Sequence, residues 1–216
     1  MPVVNVDGSQ KIMDHYDETG ELLFKRKNMN PERQTQMNID CGDMEMGVDI
    51  NRNYAYNWEA DDSDPCSESY PGHHAFSEPE SIAMKNLMEK YHDTIKIVYN
   101  YHSYGPMFVW PYNSESANHL AEVNPLAQQI LNEIWDDGDF PETTIKGNAI
   151  KTVGYLANGE ANDWILNEYG IPSVSPELAN DDFYSNDFFL PYAFVARSVV
   201  RDNHHWLFHT YKKLAG

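Results

Sequence analysis

Residues 47–53 (GVDINRN) set an amide and a guanidinium side by side at Asn51 and Arg52, in a stretch with no helical period. A guanidinium fork beside an amide suits a planar carboxylate, which accepts two parallel N–H bonds. Arg52 is equally suited to pairing with a local acid such as Asp49. His102, in YHSYG, follows a β-branched and aromatic run. A histidine at the carboxyl end of a strand faces the crevice where α/β proteins take ligands, and imidazole is the commonest metal ligand. The alternative is a hydrogen-bonded core histidine. Glu177, in SVSPEL, stands between Pro176 and Leu178 after a short apolar run. Such surroundings desolvate a carboxyl and raise its pKa, which suits a general base near neutrality. A structural Glu paired with a buried Arg is the other reading. Tyr155 precedes a glycine-containing loop (GYLANGEANDW) and is either a phenol that closes over a substrate or a surface tyrosine.

These residues need elements to position them. Residues 1–7 (MPVVNVD) read as a short strand turning at Asp7-Gly8, and 9–46 as a polar loop or hairpin. Ser77 and Glu80 fit a capping box, with Pro79 in the first turn of a helix running to about His92. Strands are expected over 95–101 and 107–112, and helices over 118–135 and 160–169, the second stopped by Gly170. Residues 148–153 read as extended, 171–178 as a short strand with two prolines, and 187–211 as a long closing helix. Helices alternating with short strands predict an α/β fold, a mixed β-sheet flanked by helices, in one domain spanning residues 1–216.

Composition narrows the partners. Acidic residues number 34 against 15 basic, a net charge of −19. Such a surface repels nucleic-acid phosphates and anionic lipid heads, which sets both partners aside; the plain reading is a strongly hydrated surface, and the alternative is one that attracts cationic peptides. No stretch approaches the ~18 apolar residues of a membrane span. Residues 1–10 show neither the basic nor the apolar region of a secretory signal. The two cysteines, Cys41 and Cys66, fit one disulfide or two inert thiols; a bridge would contribute roughly 3 kcal/mol.

Taken in order, these segments resemble the zinc carboxypeptidases of the pancreatic carboxypeptidase A/B type. VVNVDG is similar to the family's VNPDG, GVDINRN to GVDxNRN, and PCSESYPGHHAFSEPES to PCSExYxGxxAFSEPE. YHSYG resembles the family's HSY, while GYLANGEANDW and SPEL resemble its tyrosine loop and catalytic glutamate. The resemblance implies that His102 is a zinc ligand and that Glu177 takes a proton from the attacking water and passes it to the leaving amine. It implies that Arg26, in RKN, stabilises the oxyanion, that Asn51, Arg52 and Tyr155 hold the substrate's terminal carboxylate, and that Tyr104 lines the next subsite. Asn162 falls where the family sets side-chain preference, and an Asn leaves that preference open. Cys41 and Cys66 stand near the family's disulfide pair, Cys41 being four residues further from GVD than usual.

One departure matters. The family's first two zinc ligands come from an HxxE motif upstream of the VNPDG strand, and only Met1–Val4 precede that point here. His15 and Glu18 match HxxE but lie in the expected polar loop, where the family has no ligands. The expectation is therefore the C-terminal two-thirds of a carboxypeptidase domain, with one of three zinc ligands and a second segment or chain completing it. The implied substrates are peptide and protein C-termini, and the implied compartment is extracellular or lysosomal. An inactive carboxypeptidase-like binding or structural subunit is the rival reading.

Overall fold

The computed structural model describes residues 3–21, 23–31, 35–36, 38–59, 64–103, 105–138, 140, 142–178, 207 and 210. Its contacts cluster into two compact units, residues 1–92 with 157–164, and residues 93–156 with 165–216.

The first unit opens with helix α1, Val6–Thr19, where the sequence predicts a strand and a polar loop. The helix wins because Asn5 caps it: its Oδ1 accepts from the Gly8 N–H at 3.2 Å, and Asp7 adds a negative charge to the first turn. Gly20 ends it in the left-handed conformation, φ 71°, donating to the Tyr16 carbonyl. His15 and Glu18 are thus helix residues. A short α2, Gly42–Glu45, follows, and Cys41 beside it is bridged to Cys66 with a Cα separation of 5.1 Å. The 3₁₀ turn Ile50–Arg52 and helix α3, Pro79–Tyr91, complete the main elements. Ser77 does not cap α3 as the capping box predicts. Its hydroxyl donates to Glu78, which occupies the cap position without a capping side-chain bond, and Glu80 sits beside the Asn28 amide.

Asn53 ties this unit together. Its Nδ2 donates to the carbonyls of Pro71 and His74 and to Ser77 Oγ, and its Oδ1 accepts from Glu78 N–H and Ser81 Oγ. Tyr54 stacks on Trp164 at 5.6 Å, and Phe76 meets both rings edge-on.

The second unit holds the sheet: β1 Val98–Tyr99, β2 His102–Ser103, β3 Met107–Val109, β4 Ile145–Gly147 and β5 Ser173–Leu178. The order is β1-β5-β3-β4, with β2 also on β5. β1, β2 and β5 run parallel, β3 runs antiparallel to β5, and β4 runs parallel to β3. The α/β fold with a mixed sheet is as expected. The strand expected over 95–101 shrinks to two residues, and the register along β5 resumes at His102. The helix expected over 118–135 is two, α4 His119–Val123 and α5 Pro125–Asp137, parted at Asn124, whose side chain caps the second. Residues 148–153 are not extended. Asn113 Oδ1 accepts from Ala149 N–H at 2.7 Å and starts helix α6, Ala149–Thr152, against the β preference of Ile150 and Thr152. Helix α7, Ala161–Tyr169, ends before Gly170, φ 67°, as the sequence predicts. The closing helix expected over 187–211 lies outside the described residues except at Leu207 and Thr210. None of the described helices is long and apolar enough to cross a membrane.

Lys27 is a buried cation in the first unit, 1% exposed. Its Nζ donates to the carbonyls of Pro65 at 2.9 Å and Ser67 at 2.8 Å and lies over the Tyr70 ring. Burial, with Lys25 nearby, pulls its pKa from 10.5 down to about 8. Between those two values the unfolded chain binds the proton and the folded chain does not, so this group makes stability rise with pH there. In urea unfolding, the stability of the wild type relative to Lys27→Met should therefore increase by roughly 2 kcal/mol between about pH 7.5 and pH 10. A difference that stays flat would show that Lys27 titrates as an exposed lysine does.

Candidate functional site

Two groups of the predicted residues are brought together, one in each unit. In the first, Gly47 has φ 98°, and a Cβ there would meet the Asn28 carbonyl oxygen at 1.9 Å, so only glycine lets the chain pass. Beyond it, Val48 exchanges bonds with Asn28, donating to Oδ1 at 2.8 Å and accepting from its N–H at 3.0 Å. Asp49 then acts in two directions. Its Oδ1 accepts from Asn51 N–H at 3.1 Å and caps the 3₁₀ turn, while its Oδ2 accepts from Arg26 Nε at 2.8 Å and Nη2 at 2.7 Å. The local acid that the sequence offers as a partner for Arg52 is thus the partner of Arg26.

Arg52 pairs instead with Glu160, which the sequence alone does not single out. Arg52 Nη1 donates to Glu160 Oε1 at 2.9 Å and to the Asn51 carbonyl at 2.9 Å. Both side chains are about nine-tenths buried, 10% and 11% exposed. Asn51 Nδ2 donates to the same Oε1 at 3.3 Å, and Asn51 Oδ1 accepts from Ala161 N–H at 3.2 Å. The amide therefore clamps the start of α7 while touching the carboxylate. Backbone geometry fixes this approach. Gly159, φ 67°, lies so close that a Cβ would stand 2.2 Å from the Arg52 carbonyl oxygen, and Gly159 exchanges backbone bonds with Tyr54 and Tyr56. Asn162, two residues beyond Glu160, is fully buried in the first turn of α7. The only sequence signal for Glu160 is an acid directly after a glycine in a loop of small residues, too common a pattern to stand out.

In the second unit, His102 and Glu177 are register partners on the adjacent parallel strands β2 and β5. Directly paired residues on neighbouring strands point to the same side of a sheet, and the strands lie about 4.8 Å apart. Both are half-buried. On its other side Glu177 is paired with Met107 of β3. Glu177 thus stands at a strand's carboxyl end beside an imidazole, a pairing able to place a proton acceptor next to an electrophilic or metal-binding nitrogen. Tyr155 is exposed, 54%, as is Leu156 beside it. Tyr104 lies outside the described residues.

The described residues do not by themselves fit a zinc site. No three or more His, Cys, Asp or Glu side chains among them lie together as a metal would require, and His102 is one donor where catalytic zinc takes three.

Comparison with known proteins agrees with the motif order. The zinc carboxypeptidase (M14 peptidase) family matches residues 1–202. Carboxypeptidase B2 of Homo sapiens is 33% identical over 202 residues, covering 90% of this chain and 43% of its own length. Carboxypeptidase B of Bos taurus is 28% identical, covering 88% and 42%. The chain thus spans under half the length of these relatives. Among solved structures, bovine thrombin-activatable fibrinolysis inhibitor, in complex with tick carboxypeptidase inhibitor, superposes with a TM-score of 0.71 at 26% identity, covering 99% of this chain and 69% of that one. Carboxypeptidase A from Helicoverpa armigera shares the fold, with a TM-score of 0.73 at 24% identity, covering 98% of this chain and 50% of that one. The family match over almost the whole chain carries the assignment: the chain belongs to the zinc carboxypeptidase family.

Proposed function

We propose that these residues form part of a metallocarboxypeptidase that hydrolyses the C-terminal peptide bond of peptides and proteins. The observation that carries the reading is the register of His102 and Glu177, which sets the expected base and the expected ligand on one side of the sheet at a strand's carboxyl end. In this reading Asn51, Arg52 and Tyr155 hold the terminal carboxylate, which is how an exopeptidase distinguishes a chain end from an internal bond. Asn162 lines the side-chain pocket and Tyr104 the next subsite. Glu177 removes a proton from the attacking water and delivers it to the leaving amine. Arg26 stabilises the developing oxyanion, and because two of its nitrogens are on Asp49 that role requires the ion pair to be shared or opened. His102 offers one imidazole toward zinc, and the remaining donors belong to a segment outside the described residues. The Cys41–Cys66 bridge supports an oxidising compartment, extracellular or lysosomal. The net charge of −19 favours cationic peptides and disfavours nucleic acid and membrane surfaces as partners.

The test uses the natural gene product that carries these residues. It should release C-terminal amino acids and lose that activity to a chelator. Glu177→Gln should lower kcat by about 10²–10⁴-fold with KM little changed, because proton transfer alone is removed. Arg52→Ala should act mainly on KM. Binding of peptide C-termini without turnover would instead identify a carboxypeptidase-like binding subunit, and turnover unaffected by Glu177→Gln would remove the base from the reading.

A further inference from the structure

Resting on that reading of Asn51 and Arg52, we infer that Glu160 is a resident carboxylate that competes with an incoming chain terminus and so sets the affinity of the site. The two groups suited to receiving a carboxylate already hold one. Glu160 Oε1 accepts from Arg52 Nη1 at 2.9 Å and from Asn51 Nδ2 at 3.3 Å, a guanidinium and an amide converging on a single oxygen. That is the arrangement a terminal carboxylate would seek. Glu160 is placed there by the backbone, not by a mobile side chain alone. Gly159 packs against the Arg52 carbonyl, and Glu160's own carbonyl accepts from Trp164 N–H at 3.2 Å at the boundary of α7. The carboxylate therefore rests next to Arg52.

Charge decides what this does to a ligand. Among the described residues Asp49 is committed to Arg26, so Arg52 is the cation that Glu160 shares with any newcomer. An arriving carboxylate either displaces Glu160 from Nη1 or docks on the Nε–Nη2 edge beside it. In the first case the site is open only for the fraction of time that Glu160 is away, and the apparent affinity falls in proportion to that fraction. In the second, two like charges share one guanidinium in a largely buried setting, which is unfavourable. Both routes weaken binding, and both are relieved by neutralising Glu160. Glu160→Gln keeps the size and a carbonyl oxygen for Arg52 while removing the charge.

The experiment is a binding titration on the ¹⁵N-labelled 216-residue chain, followed by NMR at the Arg52 side chain, with N-acetylglycine as carboxylate probe and N-acetylglycinamide as its neutral control. Glu160→Gln should bind N-acetylglycine at least about tenfold more tightly than the wild type, leave the amide unaffected, and lose the gain when combined with Arg52→Gln. Should Glu160→Gln fold poorly by circular dichroism, Glu160→Gly reports the same change, since glycine is tolerated at a helix boundary. Equal or weaker binding of N-acetylglycine to the Glu160 variants would overturn the inference and show that Glu160 positions Arg52, with carboxylate recognition intact. Absence of carboxylate-dependent binding in every variant would overturn the recognition reading itself and the inference with it.

Discussion

Everything around residues 47–53 depends on how two buried charges, the Asp49 carboxylate and the Arg52 guanidinium, are paired. A buried charge is costly unless it is paired and its remaining donors are met. The exposed Arg26 meets that demand for Asp49, and Glu160 meets it for Arg52. Asp49 also caps the 3₁₀ turn that presents Asn51 and Arg52, and Asn51 in turn holds the first N–H of α7. Removing Asp49 would therefore cost the cap of this turn as well as an ion pair. The adjacent Asn53, with five hydrogen bonds through its amide, extends the same scaffold to residues 71–81. A single seven-residue segment thus carries Asn51 and Arg52 and much of the framework that holds them.

The family resemblance is legible because long motifs occur in one order, and the sheet, α7 and β5 follow from apolar runs bounded by glycine and proline. The failures have physical causes. At the N-terminus the run of valines suggests a strand, although Asn5 and Gly20 already offer the cap and stop of a helix. Local capping outweighs β propensity there. Ile150 and Thr152 mislead in the same direction, since the cap on α6 comes from Asn113, 36 positions away and invisible to a local reading. The partner of Arg52 is hidden for a similar reason. Asp49 is the near acid, yet the guanidinium meets Glu160 across 108 positions, brought there by a glycine whose close approach shows only in three dimensions.

In the second unit two residues that the sequence singles out are brought together by the sheet. Glu177 lies in β5 and His102 in β2, and parallel pairing puts them opposite one another. Nothing in the spacing of two residues so far apart specifies that register. It follows from Val98 meeting Ser173 and the alignment continuing in step to Glu177. The shortness of β1 and β2 means that the register is held by few ladder bonds, with the Asn100 N–H to the Val174 carbonyl at 2.9 Å bridging the gap.

The central claim is that Glu160 is energetically coupled to Arg52 and not merely near it. A double-mutant cycle in urea, with Arg52→Gln, Glu160→Gln and both together, measures that coupling directly. The expected coupling is about 1.5–3 kcal/mol, the range for a hydrogen bond between charged groups in a largely buried site. Additivity of the two substitutions within about 0.5 kcal/mol would contradict it, because independent residues add to that tolerance.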